Sequence, residues 1–108
     1  MSDERIEKIK AAIQTADHIS PEKKNELLGL VATLDPVIAK FAQTNDEHAQ
    51  HIAGLVEASA REAAGKNPQK MESLLDELRN SVQRFEASHP ELFSFVTQYS
   101  GLLSALGI

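Results

Sequence analysis

The chain has 108 residues, with 16 acidic and 11 basic side chains, a net charge of −5 and no cysteine. Lacking cysteine, it has neither a disulfide nor a thiolate metal site; lacking a run of Lys or Arg longer than Lys23-Lys24, it has no basic face to release counterions from nucleic-acid phosphates. A hydrophobic content of 42% and a charged content of 25% suit one globular domain, residues 1–108, long enough for one core and too short for two ordinary ones.

The apolar residues are mainly Leu, Ile, Val and Ala, with few aromatics and no Trp, a balance that leans to helix. The opening stretch M-S-D-E-R-I-E-K is charged and lacks the apolar run of a secretory signal, so a cytoplasmic protein is expected. Four prolines then segment the chain. They follow Ser20, Asp35, Asn67 and His89, three of which are preferred helix N-cap residues. Proline is favoured in the first helical turn because its missing N–H has no partner there anyway. Each proline therefore predicts a helix start.

The first helix is predicted over residues 3–17, with Ile6, Ile9, Ile13 and Ala16 on one face and Asp3 and Glu4 complementing the dipole at its start. The second begins at Pro21 and carries Leu27, Val31 and Leu34, widened by Leu28 and Leu30. The third begins at Pro36 and runs to Ala64, with Gly65 as terminator. Thr44-Asn45-Asp46-Glu47 has the form of a capping box. The apolar phase nevertheless continues through Ile38, Phe41, Asn45, His48, Ile52 and Leu55, which favours one unbroken helix over a break near Thr44. Such a helix would be about 43 Å long at 1.5 Å per residue. The same phase also allows the second and third helices to be one helix kinked at Pro36.

The fourth helix starts at Pro68 and aligns Met71, Leu75, Leu78, Val82 and Phe85. The fifth starts at Pro90 and aligns Leu92, Val96, Tyr99, Leu103 and Leu106, with Phe93, Phe95 and Leu102 off that stripe. Residues 92–108 contain no charged side chain. A helix apolar on more than one face belongs in a bundle centre, at an interface or in lipid. At about 25 Å it falls short of a hydrocarbon core near 30 Å, and its serines and Gln98 also argue against a membrane span. The fold class expected is all-α, a helical bundle or long helical hairpin of four to five helices with no β-sheet.

R-F-E-A-S-H-P-E-L at residues 84–92, followed by an apolar helix ending in Leu106-Gly107-Ile108, resembles the C-terminal signature of domain-of-unknown-function family 4404, a family of small uncharacterised bacterial proteins. The resemblance covers about a quarter of the chain, and the middle, roughly residues 39–66, is longer than in that family. It implies an all-helical bacterial protein and carries over no catalytic residue.

His48 and His51, with Glu47 adjacent, are the only arrangement suggestive of a metal site, because residues three apart share a helix face. The Glu-x-x-His spacing of carboxylate-bridged metal bundles occurs once, at Glu86 and His89, and is not repeated on a second helix. The competing explanation is a polar patch with Asn45 on an Ala-rich helix. His89 is placed to close the last turn, with Glu86 and Glu91 as neighbours in sequence; His18 reads as solvated, at the end of the first helix. Tyr99 reads as a core residue with its hydroxyl at a rim. Nucleophilic catalysis lacks a Cys, a G-x-S-x-G elbow and a Gly-rich loop.

The expectation is thus a non-enzymatic helical interaction or scaffold protein with no cofactor, self-associating as a homodimer or meeting an unidentified protein partner. Phe93, Phe95, Leu102 and Leu106 are the expected interaction residues. The alternatives are a histidine-carboxylate metal-binding bundle and a membrane-peripheral protein using the last helix.

Overall fold

The computed structural model describes residues 3–106. It contains α1 (Asp3–Thr15), α2 (Pro21–Ala42), α3 (Asp46–Ala64), α4 (Pro68–Gln83) and α5 (Pro90–Ser104), and no strand among the described residues. The side chain of Asp3 and the terminal Gly107-Ile108 of the family signature lie outside the described residues.

Two of the predicted boundaries are overturned. Pro36 does not start a helix, and Asp35 is not a cap: α2 runs through both. Pro36 offers no N–H to the carbonyl of Ala32, and its ring crowds that carbonyl. Ala32 and Pro36 are exposed, so water can serve the freed oxygen, while Leu34 and Ile38 on either side are fully buried and hold the helix to the core. Of the alternative that joins the second and third helices across Pro36, the continuity at Pro36 is what α2 shows, but the helix ends at Ala42 rather than Ala64.

The unbroken helix over residues 36–64 is also absent. The chain turns after Ala42, where Phe41 O accepts the N–H groups of Thr44 (3.1 Å) and Asn45 (3.0 Å). Asn45, not Thr44, is the N-cap of α3: its Oδ1 accepts the backbone N–H of His48 at 3.4 Å. The Asn side chain competes for the backbone and begins a new helix. A periodicity argument misses this because the three-residue turn leaves the apolar phase intact while folding α3 back against α2.

At the other end of α3 the glycine is one residue early. Asn67 N–H donates to Glu62 O (3.0 Å) and Lys66 N–H to Ala63 O (3.3 Å), a Schellman motif with Lys66 as the left-handed residue at φ 58°. Gly65 itself has φ −82°. Ser20 does cap α2, accepting Lys23 N–H at 3.3 Å. Asn67 and His89 occupy the positions before Pro68 and Pro90, but neither side chain makes a cap bond.

α3 is the hub, packing against α1, α2 and α4, while α5 closes the bundle against α2 and α4. Small residues make this possible: Ala49, Ala53, Ser59, Ala60 and Ala63 are all buried on α3 and let neighbouring helices approach closely. The core stripes are Ile6, Ile9 and Ile13 on α1; Leu27, Val31, Leu34, Ile38 and Phe41 on α2; Met71, Leu75, Leu78 and Val82 on α4; and Leu92, Val96, Tyr99 and Leu103 on α5. A radius of gyration of 12.8 Å matches the roughly 13 Å of a folded domain of this size. No helix of the described residues is long and apolar enough to cross a membrane.

Candidate interaction surface

α2 and α5 run antiparallel with a groove between them. One end is bordered by Glu26, Gly29, Gly101 and Leu102, and the other by Val37, Pro90 and Glu91. The two linked depressions that form it measure about 650 and 400 Å³ and open to solvent. Between Glu26 and Glu91 no charged side chain lines it. On α2 the walls are Leu30, Thr33 and Val37; on α5 they are Ser94, Thr97 and Gln98. In a chain one-quarter charged, the stretch between those two glutamates is lined without charge.

Two helix-interior glycines open onto this groove. A Cβ built on Gly29 or on Gly101 meets nothing within 4 Å. A glycine within a helix costs about 0.5–1 kcal/mol relative to alanine. Packing inside one copy gives no reason for either. Gly54 differs, since a Cβ there would sit 3.2 Å from Arg5 Nη1.

The four expected interaction residues separate. Phe95 is not exposed: it is 3% accessible and stacks on Tyr99, ring centroids 5.5 Å apart. Leu102 is half-buried and borders the groove. Phe93 is half-buried on the opposite side of α5, beside Arg79, Asn80 and Val82. Leu106 is half-buried and packs on the core. No large hydrophobic side chain among the described residues is exposed. The expectation that Phe93, Phe95 and Leu102 need external cover is therefore corrected: the bundle buries Phe95 outright and covers much of the other two. Sequence reasoning missed Gly29, Thr33 and Gly101. The signal for Thr33 is a second stripe on α2, Glu26, Leu30, Thr33, Val37 and Lys40, one residue out of step with the core stripe.

The histidines lie elsewhere. His48 Nδ1 is 3.0 Å from Asn45 Oδ1, so it donates there, and its Nε2 accepts from Arg84 Nη2. Both ring nitrogens are thereby engaged, and the Arg84 guanidinium also lies over the Phe85 ring at 4.9 Å. His51 is exposed, and it shares a shallow depression with Glu47 and His48. Among the described residues, no group of three or more His, Cys, Asp or Glu side chains comes together in a geometry for a metal ion.

His89 does not pair with Glu86 or Glu91. It stands edge-on to Phe41 (4.8 Å) and near Phe85 (6.2 Å), with Nε2 3.5 Å from Thr44 Oγ1. His18 is not solvated: its Nε2 donates to Ala63 O at 2.8 Å, serving a carbonyl in the last turn of α3, and its buried Nδ1 makes no hydrogen bond, with Asp17 Oδ1 3.8 Å away. Tyr99 has its hydroxyl in the core rather than at a rim. It bonds Val56 O (2.9 Å) and Ser59 Oγ (2.8 Å), and burial, opposed by the Ser59 hydrogen bond, pushes the phenol well above its usual range.

No protein-family model, curated protein or solved structure matches the chain.

Proposed function

We propose that the protein is a non-enzymatic helical interaction protein of the bacterial cytoplasm, in keeping with its resemblance over residues 84–92 to domain-of-unknown-function family 4404, and that it self-associates as a homodimer. The observation that carries the reading is the uncharged groove between α2 and α5. Depletion of charge at the centre of a patch, more than bulk hydrophobicity, is what sets interface cores apart from the remaining surface. The groove has charge only at its ends. Its floor and walls mix half-buried Leu30, Val37 and Leu102 with small hydroxyl residues, a composition stable in water alone and suited to a mating helix face. Two-fold pairing is the commonest closed solution for such a face.

Multi-angle light scattering at micromolar concentration tests the reading. A mass of two 11.8 kDa chains is expected; a single-chain mass across that range overturns it.

A further inference from the structure

The self-association reading, on which this inference rests, leaves open how two copies meet. We infer that a second copy lays its own α2 antiparallel across the α2–α5 groove, about a two-fold axis passing close to Thr33.

The outer stripe of α2 carries the argument. Glu26, Leu30, Thr33, Val37 and Lys40 follow alternate steps of four and three residues, as the buried stripe beginning at Leu27 does one position later. The inner stripe is consumed by the core. The outer one faces the groove and has opposite charges at its two ends, with Glu26 and Lys40 equally far from Thr33. Neither Glu26 nor Lys40 takes part in an ion pair among the described residues, although Glu91 lies at the Lys40 end.

A two-fold axis at Thr33, perpendicular to α2, brings each Glu26 to the partner subunit's Lys40 and forms the same pair twice. A parallel arrangement would place like charges together at both ends. The same operation sets the open space at Gly29 against the partner subunit's Val37, so a small residue receives a large one. Thr33, exposed and small, sits where the helices cross and permits close approach. The two unexplained glycines, Gly29 on α2 and Gly101 on α5, then have one common reason: both keep the groove deep enough for a helix.

The absence of cysteine makes the test clean. Thr33→Cys introduces one thiol per copy at an exposed position, and a short bismaleimide should convert it to a covalent dimer. Asp76→Cys, exposed on α4, should remain monomeric under the same treatment. Glu26→Lys and Lys40→Glu should each weaken the dimer about tenfold, and the double variant should return to within about threefold of the parent, the behaviour of a matched charge pair. Circular dichroism of each variant shows whether the helices persist. If the parent is a monomer by light scattering, the self-association reading itself is wrong. If the parent is a dimer but Thr33→Cys does not cross-link, self-association stands and this surface is overturned. Cross-linking without charge-swap rescue overturns the antiparallel register.

Discussion

Ser59 of α3 and Tyr99 of α5 share a buried hydrogen bond of 2.8 Å, and both hydroxyls reach the carbonyl of Val56 at 2.9 Å. One hydroxyl donates to the other, and the remaining proton goes to Val56. This joins α5 to the hub helix through polar atoms inside a largely apolar core. Replacing Tyr99 by Phe should lower stability by about 0.5–1.5 kcal/mol, since Ser59 can still donate to Val56. Ser59→Ala should cost a similar amount. Urea unfolding of both single variants and the double should show a coupling of at least about 0.5 kcal/mol; strict additivity would mean that the two hydroxyls act independently.

Asn45 and Asn67 both precede a helix, yet only Asn45 caps with its side chain. Asn45→Ala should destabilise by about 0.5–2 kcal/mol, through the lost bonds to the backbone and ring of His48. Asn67→Ala should stay within about 0.5 kcal/mol of the parent. Equal effects in chemical denaturation would refute the distinction.

Lys66 holds a left-handed conformation that costs a side chain about 1–2 kcal/mol. Lys66→Gly should therefore raise stability by about 1 kcal/mol, with the gain read from the denaturation midpoint at unchanged slope. A loss would show that the lysine makes a compensating contact.

Pro36 sits inside α2 at an exposed position. Pro36→Ala restores the N–H for the Ala32 carbonyl and should stabilise by about 1–3 kcal/mol. An unchanged or lower melting temperature would indicate that the local helix geometry serves packing.

Phe95 and Leu102 were alike as sequence positions, both off the main stripe of α5, but the fold separates them. Phe95→Ala should cost about 3–5 kcal/mol, a large part of the stability of a domain this size. Leu102→Ala should cost much less in one copy and should weaken self-association instead. The reverse order, measured by thermal unfolding and light scattering, would restore Phe95 as an interface residue.

Much of this molecule was legible in the chain itself. The inner stripes were readable because apolar residues at helical spacing have few other places to go: Ile6, Ile9 and Ile13, Leu27 to Phe41, and Met71 to Val82 all lie in the core. Pro21, Pro68 and Pro90 marked helix starts because their local backbone restriction acts without tertiary help. What needed the folded molecule was every choice between two locally acceptable outcomes. Pro36 fits a helix start or a helix interior, and buried Leu34 and Ile38 decided for the interior. The phase from Phe41 to Ile52 fits one long helix or two, and the Asn45 cap with the return of α3 onto α2 decided for two. Phe95 fits a core or an interface, and the ring of Tyr99 decided for the core. Spacing states which residues share a face of one helix; only packing decides which of that helix's faces meets another, because burial is a property of neighbours that the local sequence does not contain.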